Sequence, residues 1–177
     1  KEIEFLKEHK DLVTVECLPQ FLAFHAPDVY DQIGTFAQMN PPIRGREHQE
    51  ALWKALLAGT IDVIGTDHAP HTREEKAKPY PQSPSGMPGV QTLVPVMLNF
   101  VNQGRLTLEK VCELISRNPA RAYGIENNGE IREKFDANLT IVDLNRTEEV
   151  KESWLASKCG WSPYTGQKLK GWPVGPI

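Results

Sequence analysis

Asp67, His68 and His71 stand together in Thr66-Asp-His-Ala-Pro-His-Thr72, the most concentrated set of polar, titratable side chains in the sequence. One carboxylate and two imidazoles at this spacing could ligate a metal, since neutral histidine and carboxylate both suit zinc, or could shuttle protons near neutral pH. The same residues could serve only locally, with Asp67 capping a turn and the histidines bonding to nearby backbone. Asn40 precedes Pro41-Pro42-Ile43-Arg44. A double proline there can hold an amide toward a site, or can do no more than end a strand. Ser85-Gly86-Met-Pro-Gly89 would let backbone N–H groups approach a carboxylate, or is an ordinary flexible loop. Arg44, Arg46 and Arg73 make no cluster that names a phosphate site, and His9, His25 and His48 are expected to be solvated.

Such residues need rigid elements behind them. Ile61-Asp-Val-Ile-Gly65 is a short apolar run of the kind a buried parallel strand has, and Thr66 follows it directly. Ligands in α/β folds bind beyond the carboxyl ends of parallel strands, so the cluster lies where a site belongs. Ahead of it, residues 2–9 read as a charged helix and Val13-Thr-Val-Glu-Cys17 as a β-branched strand stopped by Pro19. Ala37-Gln-Met-Asn40 is predicted as a further strand. Glu47–Ala58 is predicted as a helix, with Leu52, Ala55 and Leu56 at helical spacing and Gly59 after it.

Downstream, residues 72–90 are too long for an ordinary connection and are predicted to form an active-site loop before an apolar helix at 92–103. Thr107 caps a helix through Leu108, Val111, Cys112 and Ile115, and Asn118-Pro-Ala-Arg121 restarts a short one. The period changes to that of a strand at Leu139–Leu144, which places a domain boundary near residue 127. Trp154, Trp161 and Trp172 among glycines predict a small β-rich unit packed by aromatics.

The 177 residues carry 20 Lys+Arg against 23 Asp+Glu, a net charge of −3 that offers no basic field for nucleic acid or an anionic membrane. Hydrophobic residues make up 40% and charged ones 24%, a globular composition. No apolar run reaches the roughly 18 residues of a bilayer span. Cys17, Cys112 and Cys159, odd in number and far apart, read as reduced thiols, which makes the cytoplasm the expected compartment. Lys1 falls inside a charged helical pattern, so the chain is expected to be a piece of a longer one.

Taken in order, Asn40-Pro-Pro-Ile-Arg44, Gly65-Thr-Asp-His-Ala-Pro-His-Thr72, Glu75-Lys76, Gly86-Met-Pro-Gly-Val-Gln-Thr92 and Asn118-Pro-Ala-Arg121 closely resemble the class I dihydroorotases of the amidohydrolase superfamily. The resemblance implies an α/β chain forming the C-terminal part of a TIM-type (β/α)₈ metal-dependent hydrolase barrel over residues 1–127. Residues 128–177 would then be part of a small β-sandwich domain. It implies zinc-dependent, reversible hydrolysis of (S)-dihydroorotate to N-carbamoyl-L-aspartate in de novo pyrimidine (UMP) biosynthesis.

Asp67 is similar to the family's metal-ligating aspartate at the end of the eighth strand, which takes a proton from the attacking hydroxide and delivers it to the leaving amide nitrogen. Asn40, His71 and the Ser85-Gly86 backbone resemble its substrate contacts. The implied cofactor is one or two zinc ions whose other ligands lie upstream of Lys1, so this chain alone is expected neither to hold zinc tightly nor to turn over substrate. Implied partners are the small-molecule substrate, the rest of the same chain, a second copy in a homodimer and aspartate transcarbamoylase. Departures occur at Pro19-Gln20-Phe21, where many relatives have Pro-His-His, at Ser85, and at Gln91, where Glu is frequent. The alternatives are a sister cyclic amidohydrolase acting as a hydantoinase, dihydropyrimidinase or allantoinase, or a non-catalytic dihydroorotase-like scaffold. The sisters usually lack the counterparts of Asn40 and His71.

Overall fold

The computed structural model describes residues 1–176. Two short parallel strands underlie the candidate site: β1, Glu16–Cys17, pairs with β2, Val63–Ile64, placing Glu16 opposite Val63 and Cys17 opposite Ile64. Both β2 side chains are buried, as the apolar run requires. The strand expected over 13–17 is shorter because its start is held by a side chain. The Asp62 carboxylate accepts from the Val15 N–H at 2.7 Å and pairs with Lys10, whose ammonium also donates to the Thr60 carbonyl at 3.0 Å. Among the described residues β1 and β2 have only each other as strand neighbours.

Helices surround this pair. They are α1 (Glu2–Glu8), α2 (Pro19–Ala23), α3 (Asp28–Ile33), α4 (Arg46–Leu57), α5 (Arg73–Lys76), α6 (Leu93–Asn102), α7 (Leu108–Cys112) and α8 (Asn118–Ala122). Pro19 both ends the first strand and starts α2, since a missing N–H costs nothing in a first helical turn. Thr107 caps α7 by accepting from the Lys110 N–H, and the helix widens into a π turn over Glu113–Arg117 before α8. Asn118 then donates its amide to the Asp62 carbonyl at 2.7 Å, tying α8 to the approach to β2.

Ala37–Asn40 is not a strand. Gly34–Ala37 forms a 3₁₀ turn and the following backbone is irregular, because its polar groups bond to the 76–86 loop instead of to a strand. The Gly86 N–H donates to the Gln38 carbonyl at 2.9 Å.

After α8, β3 (Thr140–Glu149) pairs antiparallel with β4 (Lys168–Pro176), Asp143 opposite Trp172 and Glu149 opposite Lys168. This pair lies across α6. Asn102 donates to the Leu144 and Lys170 carbonyls, and Asn99 accepts from the Lys170 N–H. The main core joins Leu22, Trp53, Leu56, Ile64, Met97 and Phe100 to Val150, Tyr164, Leu169 and Trp172 from the tail. A second core gathers Leu18, Val29, Met39, Ile43 and Met87 with Cys159 and Trp161. Trp154 and Trp172 meet edge to face at 4.9 Å, whereas Trp161 packs on Phe36 at 5.0 Å. The tail's aromatics are thus shared out between both cores. No helix among the described residues is long and apolar enough to cross a membrane.

Gly171 lies where the β4 backbone is close against α6. Its φ is +100°, and a Cβ there would press on the Leu98 side chain. Left-handed backbone cost and overpacking add, so Gly171→Ala is expected to destabilise the protein by roughly 2–4 kcal/mol. Urea unfolding of both forms measures it.

Candidate active site

At the carboxyl end of β2 the chain turns through Asp67 with φ of +43°, a left-handed conformation that a non-glycine residue adopts only when its neighbours impose it. Both neighbours are held. Buried Gln20, from α2, donates its amide to the Thr66 carbonyl at 3.2 Å, and His68 Nδ1 accepts the Gly89 N–H at 3.0 Å. His68 also bridges Met87 as an isolated parallel pair, with the Ala69 N–H donating to the Met87 carbonyl. The 66–72 and 86–90 segments are therefore one braced unit, and His68 serves it locally. Asp67 itself is exposed at a groove of about 470 Å³, whose walls include Cys17, Leu18, Pro41, Pro42 and Arg44. Burial raises the Cys17 thiol to about 12, so this wall holds no thiolate nucleophile at neutral pH.

Asn40 and Ser85, both exposed, line a neighbouring cavity of about 400 Å³ with Gln38 and Tyr80. Pro42 borders both spaces, so the double proline is the partition between Asp67 on one side and Asn40 with Ser85 on the other. Gly86, at φ +124°, lies against Ala69 and His71; a Cβ there would meet the Ala69 methyl, with the His71 ring 3.7 Å away. His71 is half-buried, its Nδ1 3.9 Å from the Glu75 carboxylate, and its carbonyl accepts from the Trp161 indole at 2.8 Å. The structure thus brings Asn40 to Ser85 and His71 to Gly86, and sets Asp67 across Pro42 from Asn40. His25 departs from the solvated role expected of it. Its Nε2 accepts from Arg46 at 2.6 Å and its side chain is 14% exposed.

Three further features of the site come from its three-dimensional contacts. Thr72 accepts from the Glu75 N–H and Glu75 answers to the Thr72 N–H, a capping box that sets α5 inside the long loop. The signal, Thr-x-x-Glu, was present. Lys76, which ends α5, is fully buried: its ammonium donates to the Gln38 carbonyl at 3.0 Å and the Pro84 carbonyl at 2.8 Å. Burial lowers it to about 8. Gln91, where Glu is expected more often, donates to the Trp154 carbonyl and accepts from the Ala156 N–H, a pairing a carboxylate could not make in full.

Among the described residues no three His, Cys, Asp or Glu side chains come together as a metal centre would need. Zinc takes three or four protein ligands, so these residues do not build a zinc site by themselves; Asp67 fits the part of one carboxylate donor.

Fold and site define a mixed α/β protein with a carboxylate on a groove at the carboxyl end of a parallel strand. The amidohydrolase family model matches residues 1–176, and the chain belongs to that family. It is 43% identical over 153 residues to a dihydroorotase of Halobacterium salinarum, covering 86% of this chain and 36% of that protein. To a dihydroorotase of Bacillus cytotoxicus it is 42% identical over 163 residues, 92% of this chain and 38% of the relative. Among solved structures, an L-hydantoinase (dihydropyrimidinase) from Arthrobacter aurescens superposes with a TM-score of 0.90 at 32% identity, covering 99% of this chain and 40% of that one. The chain therefore spans under half the length of these proteins.

Lys76 makes stability depend on pH in a defined direction. Its pKa falls from 10.5 in the open chain to about 8 when folded, so between those values the unfolded state holds a proton the folded state has lost. Its contribution to stability therefore rises with pH across that window. The difference in unfolding free energy between the protein and Lys76→Met is expected to shift in favour of the lysine form from pH 8 to 10, as measured by urea unfolding at several pH values. A flat difference would show that Lys76 titrates as it does in water.

Proposed function

We propose that these residues form one side of a dihydroorotase active site, which opens the ring of (S)-dihydroorotate reversibly to N-carbamoyl-L-aspartate in pyrimidine synthesis. The observation that carries this reading is Asp67, held left-handed at the carboxyl end of β2 and facing the groove. The identity to dihydroorotases, higher than that to the L-hydantoinase, supports the choice of substrate. Residues 1–127 are read as barrel strands and helices, and residues 128–177 as part of a small domain.

Hydrolysis adds water across the ring C–N bond: the oxygen goes to the carbonyl carbon and a proton must reach the leaving nitrogen. The Asp67 carboxylate can accept that proton from the attacking water and return it to the nitrogen, a relay that exposed carboxylate oxygens on a groove permit. Zinc, which Asp67 would help hold as a carboxylate ligand, would when bound supply water of lowered pKa and a polarised carbonyl. Asn40 and Ser85 offer donors on the adjoining cavity, and Gly86, whose own N–H is taken by the Gln38 carbonyl, lies between Ser85 and His71. These are the groups to meet the ring and its carboxylate, since an unpaired buried carboxylate is costly. The second reading, a hydantoinase or dihydropyrimidinase, draws on the close superposition with the L-hydantoinase.

In the protein that carries these residues, Asp67→Asn is expected to lower kcat by about 10²–10⁴-fold in both directions. Asparagine tolerates the left-handed backbone, so circular dichroism and melting should stay near wild type. Half the wild-type kcat in this variant would remove Asp67 from the reaction.

His71→Ala and Asn40→Ala are each expected to raise KM for dihydroorotate more than KM for dihydrouracil, by up to the ~1.5–3 kcal/mol of a hydrogen bond to a charged group. Parallel steady-state kinetics on the two substrates test this. Preference of the unaltered enzyme for hydantoin or dihydrouracil would favour the second reading.

A further inference from the structure

From α5, Lys76 reaches both loops flanking the proposed substrate contacts, and its burial is unusual for a lysine that forms no ion pair among the described residues. Its ammonium donates to the carbonyls of Gln38 and Pro84, residues placed two before Asn40 and one before Ser85. Its own carbonyl accepts from the Thr35 hydroxyl at 2.6 Å and the Ser83 hydroxyl at 3.1 Å. Gln38 closes the circuit by donating its amide to the Ser83 carbonyl at 2.8 Å, and the Gly86 N–H donates to Gln38. Every bond in this set joins two of three segments: the turn before Asn40, the end of α5 and the loop that leads into Ser85-Gly86.

We infer that Lys76 is a positioning residue for substrate binding, which fixes the spacing between Asn40 and the Ser85-Gly86 backbone by clamping the two loops to α5. This rests on the functional reading given above. An apolar residue of similar length would fill the same space without the desolvation cost of a charge. What it could not do is satisfy the Pro84 carbonyl and hold it to Gln38 at one point, so the lysine secures the relative placement of two loops. The Trp161 ring, 6.0 Å from the ammonium, closes the same space from the tail side.

The test is Lys76→Met in the protein that carries this chain, read by amide hydrogen exchange at Gly86 and by steady-state kinetics on dihydroorotate. Exchange at Gly86 is expected to speed up about tenfold or more relative to amides of α4 and α6. KM should rise about fivefold or more with kcat within about twofold of wild type, because binding and not the proton relay is disturbed. Unchanged Gly86 exchange overturns the inference, and so does a variant that melts earlier but keeps the wild-type KM. Should Lys76→Met not fold, Thr35→Val removes one bond of the circuit while keeping its shape; a smaller rise in Gly86 exchange and in KM supports the clamp, and none overturns it. If the unaltered protein does not hydrolyse dihydroorotate, the functional reading falls, and Gly86 exchange alone decides whether Lys76 fixes these loops.

Discussion

An ammonium withdrawn from water must be repaid in hydrogen bonds, and at Lys76 that requirement organises the loops around the groove. Burial is the cause of its lowered pKa, and carbonyls from two loops take the donors. The ammonium supplies the Pro84 carbonyl with a donor and the Gln38 carbonyl with a second one beside the Gly86 N–H. Satisfying the charge and satisfying the loops are the same event. The irregular course of Gln38–Asn40, the shape of α5 and the path of Pro84–Gly86 follow from one set of bonds.

A second constraint acts beside it at the strand end. Asp67 keeps its left-handed backbone because Gln20 holds Thr66 and Gly89 holds His68, so the exposed carboxylate stands on a short arch pinned at both feet. The bracing has a cost, since the second polar atom of the buried Gln20 amide, Oε1, has no partner among the described residues. Strain of this kind persists when surrounding structure over-determines it, and the bracing fixes where the Asp67 side chain leaves the backbone. The tail strengthens the arrangement: Trp161 grips the His71 carbonyl, and Arg73 reaches Gly160 and pairs with Glu152.

The elements visible in the sequence were those with a strong period or cap. The helix at 46–57, the apolar helix at 93–102, the Thr107 cap and the buried strand at 63–64 all carry local signals that packing did not overrule. Ala37–Asn40 misled because short apolar runs are ambiguous, and its backbone found partners in a distant loop that no local pattern announces. The residues around the site were legible as types: an acid after a buried strand, an amide before two prolines, glycines in a long loop. Their grouping was not. That Pro42 would divide Asp67 from Asn40, and that Lys76 would turn inward, depends on contacts 38 residues apart in sequence. The long loop also hid a capping box that could have been read, and His25 looked solvated because its arginine partner lies 21 residues away.

These observations locate where specificity can reside within the family. A backbone that superposes on an L-hydantoinase while its sequence is nearer to dihydroorotases cannot encode the substrate in its framework, because the framework is shared. What can differ is the set of side chains on the loops and the distance between those loops. Asn40, His71 and Ser85 are loop residues, and none is fixed by helix or strand packing alone. The placement of Asn40 relative to Ser85 runs through hydrogen bonds of Lys76, Gln38 and Gly86, whereas His71 is held by Ala69 and Trp161. On the proposed function, the pinned arch would carry the proton relay and the loops at Asn40 and Ser85 part of the recognition, with Pro42 between them and His71 on the arch's own segment.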